Sequence, residues 1–290
     1  MKQLFSITAV LMLTTILSCT SCSSDDSTTT TTTETINSGN DPNFSIVANN
    51  DGILSSANRK VVVFGIDIYA VSDVSNANLL HAANVMAQYL DNDEDGTPDN
   101  QAVVDQMTAN QAFLFMWASE NDLDNIDFPN GREGQDLGNE ETNPTYVSSG
   151  LTGRFDAALE EVWHIITHAG YSQVYPNVFG EQASSQLSNA MDIARGGQFT
   201  SIPNPYPAGA WYTYDDSTCD YNCMNTEYFY WAMTSILGAQ ATDTRLAEIQ
   251  QEWDLNTQAL VQNTDTEVYG LLTDAQYNLP TVLPDGTYRQ

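Results

Sequence analysis

Basic residues are scarce in this chain. Eight Lys and Arg face 38 Asp and Glu, a formal net charge of −30 over 290 residues. Nucleic-acid binding draws on clustered cations that displace phosphate counterions, so that class of partner is excluded. The same shortage argues against direct adhesion to an anionic membrane surface. Calcium, cationic peptides or a salty medium suit such a charge better. Histidine and cysteine are also rare, with 3 and 4 copies. The sequence has no Gly-rich phosphate loop, no GxSxG nucleophile turn and no second Glu-x-x-His that a di-iron centre would need.

The N-terminus sets the compartment. Met1-Lys2 precedes an apolar run from Leu4 to Leu17, too short for a comfortable membrane span, and then Ile16-Leu17-Ser18-Cys19. These four residues resemble the lipobox of bacterial lipoproteins. The resemblance implies a signal peptide over 1–18, cleavage before Cys19, and membrane anchorage through lipid on that cysteine, with Cys22 as a weaker alternative. It further implies the cell envelope, at the outer membrane, facing the periplasm or the surface. Residues 19–44 are dominated by Ser, Thr, Asp, Asn and Gly and read as a disordered tether. Residues 45–290 read as one domain. The body retains only Cys219 and Cys223, which an oxidising compartment would close into a small disulfide loop.

Within the body the expected fold class is α+β, a small sheet with several helices. Strands are expected at Lys60–Val71, with Gly65 as a bulge, and at Ala112–Ala118. Helices are expected from Ser75 or Asn76 to Leu90, over Asn100–Ala109, Arg154–Ala169, Gly180–Arg195, Asn225–Ala239 and Thr244–Trp253. The segment 119–150 reads as irregular, and the Pro280 and Pro284 tail as extended.

Two motifs carry chemistry. Asp91-Asn92-Asp93-Glu94-Asp95-Gly96-Thr97-Pro98-Asp99 resembles the opening of an EF-hand loop. Carboxylates at alternate positions can converge on a hard cation, and glycine permits the turn between them. The calcium ligands would be Asp91, Asp93, Asp95, the Thr97 carbonyl and Asp99. Ala102 stands at position twelve, where an EF-hand has a bidentate Glu.

The second motif is Glu160-Glu161-Val162-Trp163-His164-Ile165-Ile166-Thr167-His168. At about 100° per residue, Leu159, Val162, Ile165 and Ile166 form an apolar stripe. Glu160, Glu161, His164 and His168 fall on the opposite side, and the histidines at i and i+4 share a face. Downstream, Asn225-Thr226-Glu227-Tyr228-Phe229-Tyr230-Trp231 opens an aromatic-rich helix. Together these segments resemble the gluzincin zinc peptidases, in particular the lethal factor-like group. The resemblance covers about 154–240 and implies a zincin-like fold with zinc held by His164, His168 and Glu227. The family carries Glu directly after the first histidine, whereas this chain has Ile165. Glu161 or Glu160 would then serve as the base, and Tyr221 or Tyr228 as an oxyanion donor. The implied function is a lipid-anchored, calcium-stabilised metal-dependent hydrolase acting on peptides or proteins.

Other readings stay open at this point. His81 could replace Glu227 as third ligand. His164, His168, Cys219 and Cys223 form a possible closed Cys2His2 zinc site. The body could also be a non-catalytic surface lipoprotein that binds peptides, glycans or an envelope partner.

Overall fold

The computed structural model describes residues 35–37, 41–123, 126 and 128–290. The expected leader, Cys19, Cys22 and most of the tether lie outside the described residues. Residues 41–44, expected at the end of the tether, are bonded to the body. Asn84 donates to Asp41 at 2.6 Å, Asn43 donates to the Tyr288 carbonyl at 2.6 Å, and the Phe44 ring stacks on Tyr288.

The fold is α+β. Six strands lie in chain order across one sheet: β1 Thr35–Asn37, β2 Ile46–Ala48, β3 Arg59–Val63, β4 Ile66–Ala70, β5 Phe113–Trp117 and β6 Gly134–Gly138. The pairings from β1 to β4 are antiparallel, and those of β4 with β5 and β5 with β6 are parallel. The expected single strand over 60–71 is two. Val63 pairs with Ile66, leaving a two-residue turn in which Phe64 and Gly65 have φ of 48° and 89°. Positive φ at both positions matches the twist of a tight hairpin, so Gly65 turns the chain rather than bulging it. Along β3, Val61 and Val63 are buried while Val62 faces out. The central parallel strand β5 is buried on both faces from Phe113 to Met116 and reads as a continuous apolar run.

Helix α1, Asn76–Leu90, follows β4. The Ser75 hydroxyl accepts from the Asn78 amide and satisfies one free donor of the first turn. Helix α2, Gln101–Ala109, is capped in the same way by Asn100. A short turn, α3 Glu120–Leu123, precedes β6, which runs through polar Gly-Gln-Asp-Leu-Gly at the sheet edge. Gly134 is needed there, because a Cβ would come within 2.3 Å of the Phe113 ring. Asp136 takes the Trp117 indole N–H at 2.7 Å.

Helix α4, Ala158–Ile166, continues into a π-helical turn at Thr167–Tyr171. After it come α5 Ser172–Val174, α6 Pro176–Phe179 and α7 Gln186–Ala194. The expected helix from Gly180 thus starts later, at the Ser185 cap. Helix α8, Tyr221–Leu237, is capped by Asp220 and ends on Gly238 at φ 94°. Three more helices follow: α9 Asp243–Ile249, α10 Gln258–Thr264 and α11 Thr266–Leu272. Among the described residues, no helix is long and apolar enough to cross a membrane.

Candidate metal centre

Helix α4 buries Leu159, Val162, Ile165 and Ile166 in the core, as its period demands. Its opposite side is covered as well, because α8 packs over it. His164 is therefore only 5% exposed, and Glu160 and Glu161 are half-buried. From α8, the largely buried Glu227 comes up against them.

His164 Nδ1 lies 3.3 Å from Glu161 Oε2, which also accepts from Gln135 Nε2 at 2.5 Å. His164 Nε2 is buried without a hydrogen-bond partner among the described residues, and Glu227 Oε2 is 3.6 Å away. Donor atoms of Glu160, His164 and Glu227 all lie within 4.8 Å of one another. The Tyr230 ring meets the imidazole edge-on, with centroids 5.4 Å apart.

The electrostatics are unbalanced. Burial, reinforced by Glu161 and Glu227, pushes the Glu160 carboxyl up to about 8. Burial, with Glu227 adding to it, also raises Glu161, although the His164 and Gln135 hydrogen bonds oppose this. Burial alone would lower the His164 imidazole, but Glu227 and Glu161 outweigh it and hold His164 well above its ordinary value. Three carboxyl groups around one imidazole are acidic groups crowded into a low-dielectric site, and without a cation they are accommodated by protons on Glu160 and His164. A divalent cation would take the place of those protons and also give Nε2 a partner, so the residues present fit such an ion. A carboxylate on Nδ1 is the usual support for a metal-bound imidazole.

His168 does not join this group. Its Nδ1 lies 2.7 Å from Glu181 Oε1 and its Nε2 3.1 Å from Glu133 Oε2. Both ring nitrogens of His168 are taken by carboxylates that lie outside the Glu160, His164 and Glu227 group. The Glu181 hydrogen bond, helped by Glu133, outweighs burial and raises its pKa to about 9. The π turn that begins at Thr167 also breaks the α-helical register in which the two histidines would share a face. The trio that converges is thus Glu160, His164 and Glu227 rather than His164, His168 and Glu227.

The alternative donors are engaged elsewhere. His81 Nε2 is 2.6 Å from Asp156 Oδ2. Cys219 and Cys223 form a disulfide, which removes the thiolates that a closed Cys2His2 site would need. The Tyr221 hydroxyl donates to Asp192 at 3.1 Å and that of Tyr228 to Asp265 at 2.6 Å. A cleft of about 410 Å³ opens beside the trio, lined by Gln135, His164, His168, Glu181, Cys223 and Glu227, among others. Gln135, Glu133 and Glu181 carried no local signal in the sequence. Only the pairing of β6 and the turn after α6 bring them to the site.

The acidic loop between α1 and α2 forms a second cluster, with oxygens of Asp91, Asp93 and Asp99 within 4.8 Å of one another. Asp91 is fully buried and accepts from the Asp95 and Gly96 amides at 3.2 and 2.8 Å. Asp95 accepts from the Thr97 amide at 2.8 Å and is not part of the converging trio. Burial raises Asp99, and although the Asn92 amide opposes it, Asp93, Asp91 and Asp95 add to the rise. Ala102, inside α2, offers no ligand, but Tyr288 from the C-terminal segment donates its hydroxyl to Asp91 at 2.5 Å.

No family model, curated protein or solved structure matches the chain.

Proposed function

We propose that the chain is a metal-dependent hydrolase with zinc held by Glu160, His164 and Glu227, acting on peptides or proteins at the adjoining cleft. The observation that carries this reading is the buried Nε2 of His164, without a hydrogen-bond partner among the described residues and flanked by the carboxylates of Glu160 and Glu227. An imidazole donor favours zinc over calcium or magnesium, and three protein ligands leave a coordination position open. Zinc bound there would supply a water of near-neutral pKa and a Lewis acid for a carbonyl oxygen.

The chain's own residues supply the rest. Glu161 Oε2 accepts a hydrogen bond from His164 Nδ1–H, which leaves Nε2, facing Glu227, as the nitrogen that would give up its proton and bind the metal. Both hydrogen bonds to Glu161 fall on Oε2. Oε1 is therefore the atom that accepts a proton from water, and the raised pKa of Glu161 suits it to that task. Donor residues on α4, which packs against β6 at the sheet edge, and on α8, which packs on α4, are consistent with a zincin-like arrangement. In this reading Glu160 stands where the second histidine would be. Calcium in the Asp91–Asp99 loop is proposed as a structural ion. The Cys219–Cys223 disulfide accords with an exported, lipid-anchored protein.

Metal analysis of the purified full chain tests the reading. A single zinc is expected, lost in His164→Ala and retained in His168→Gln. In Glu161→Gln, hydrolysis of a peptide library should fall by about 10²–10⁴ while zinc stays bound. A chain that takes up no zinc, or whose His168→Gln variant loses it, would overturn the proposal.

A further inference from the structure

Cys223 stands one helical turn before Glu227 on α8, and both residues line the cleft with His164. Residues at i and i+4 share a helix face, and long side chains lean toward the helix N-terminus. Cys223 and Glu227 therefore share the side of α8 that faces the cleft. In the oxidised protein the Cys223 sulfur is bonded to Cys219 and has no thiolate to offer. We propose that Cys223 is a latent fourth donor to the metal centre, released by reduction of the disulfide. This rests on the metal reading above and adds control of the same site by redox state.

The chemistry balances with a named reductant. A trialkylphosphine transfers two electrons to the disulfide and becomes the phosphine oxide, taking its oxygen from water. The two protons of that water go to the sulfurs, giving Cys219 and Cys223 thiols. The Cys223 thiol loses its proton on binding the metal, as metal-bound thiols do. Cys223 would then take the position otherwise left to water, which would turn an open site into a closed one. The oxidised chain is the competent form and the reduced chain the blocked one. Cys219 is not equivalent, because it precedes α8 and does not line the cleft.

Cobalt replaces zinc as the probe, because thiolate ligation produces a charge-transfer absorption that carboxylate and imidazole ligation lack. The full chain is loaded with cobalt, and its spectrum is recorded before and after phosphine reduction. The band should appear only after reduction, persist without reductant in Cys219→Ser, and be absent in Cys223→Ser. Reduction should also tighten zinc by about tenfold or more, in line with the gain from one added thiolate. If the reduced chain binds cobalt without the band, the thiol donor is wrong and the metal centre stands. If neither redox state binds cobalt, both proposals fall. If the band depends on Cys219 as much as on Cys223, the assignment of the donor falls.

Discussion

His81 and Asp156 meet at 2.6 Å in the interior and join α1 to the residues that start α4. The second Asp156 oxygen accepts from the Asn143 and Ala158 amides at 2.8 and 3.3 Å. Gly286 closes over the same histidine, so tightly that a Cβ there would lie 2.1 Å from Nδ1. This pair anchors the helix that carries Glu160 and His164.

Asp156→Ala should lower unfolding stability by about 3 kcal/mol, since it strands His81 and two amides in a buried site. Zinc affinity should fall with it, because the start of α4 is no longer held. Urea unfolding and a zinc competition titration measure the two effects. An unchanged midpoint would show that the contact contributes nothing.

His168 supplies a pH test. Its pKa rises from 6.5 to about 9 because Glu181 and Glu133 accept from the ring. A raised pKa in the folded state means stabilisation that is complete below 6.5 and is lost as pH climbs through about 9. The stability gap between wild type and His168→Gln should be widest near about pH 6 and close by about pH 10. Denaturant melts across that range check it, and a gap that widens toward alkaline pH would reverse the assignment.

The Cys219–Cys223 bridge closes a loop with a sequence separation of 4. So short a loop limits its entropic worth, and replacing both residues with serine should cost about 2 kcal/mol. Zinc content of the oxidised chain should be unaffected by this double substitution. Calorimetry and metal analysis on the same sample decide both points.

Calcium should raise the melting temperature of the chain in a way that Asp91→Asn abolishes. At free calcium about a hundredfold above Kd the gain is about 2.7 kcal/mol. Thermal scans with calcium and with a calcium chelator provide the comparison. Equal midpoints would place no ion in the loop.

Much of the fold is legible because local rules agree with it. Ser75 and Asn100 cap the helices they announce, and the apolar run Phe113–Met116 becomes the middle strand of the parallel part of the sheet. Strand β6 is not legible, since Gly134–Gly138 has neither alternation nor β-formers. It is a strand because β5 offers it a partner and Phe113 needs room at Gly134. Helices α10 and α11 carry an apolar pattern too short to separate from loop, and only Val261, Val268 and Leu272 are buried. At the site, the helical spacing puts His164 and His168 on one face, whereas the fold gathers His164 with Glu160 and Glu227 and gives His168 to Glu133 and Glu181. No sequence rule locates Glu133 and Glu181, which claim that ring, because their proximity comes from the assembled fold.

Residues 281–290 reach back across the body. Thr281 and Val282 bond to Asn92, Asp285 to Gln88, Tyr288 to Asp91 and Arg289 to Glu94. The Asp91 loop is therefore seated by chain that leaves the ribosome almost two hundred residues after it. Until that segment arrives, the loop's aspartates have only the loop's own amides to brace them. An affinity tag fused at Gln290, or trimming of the final turn by a carboxypeptidase, would strike a part of the molecule far away in sequence.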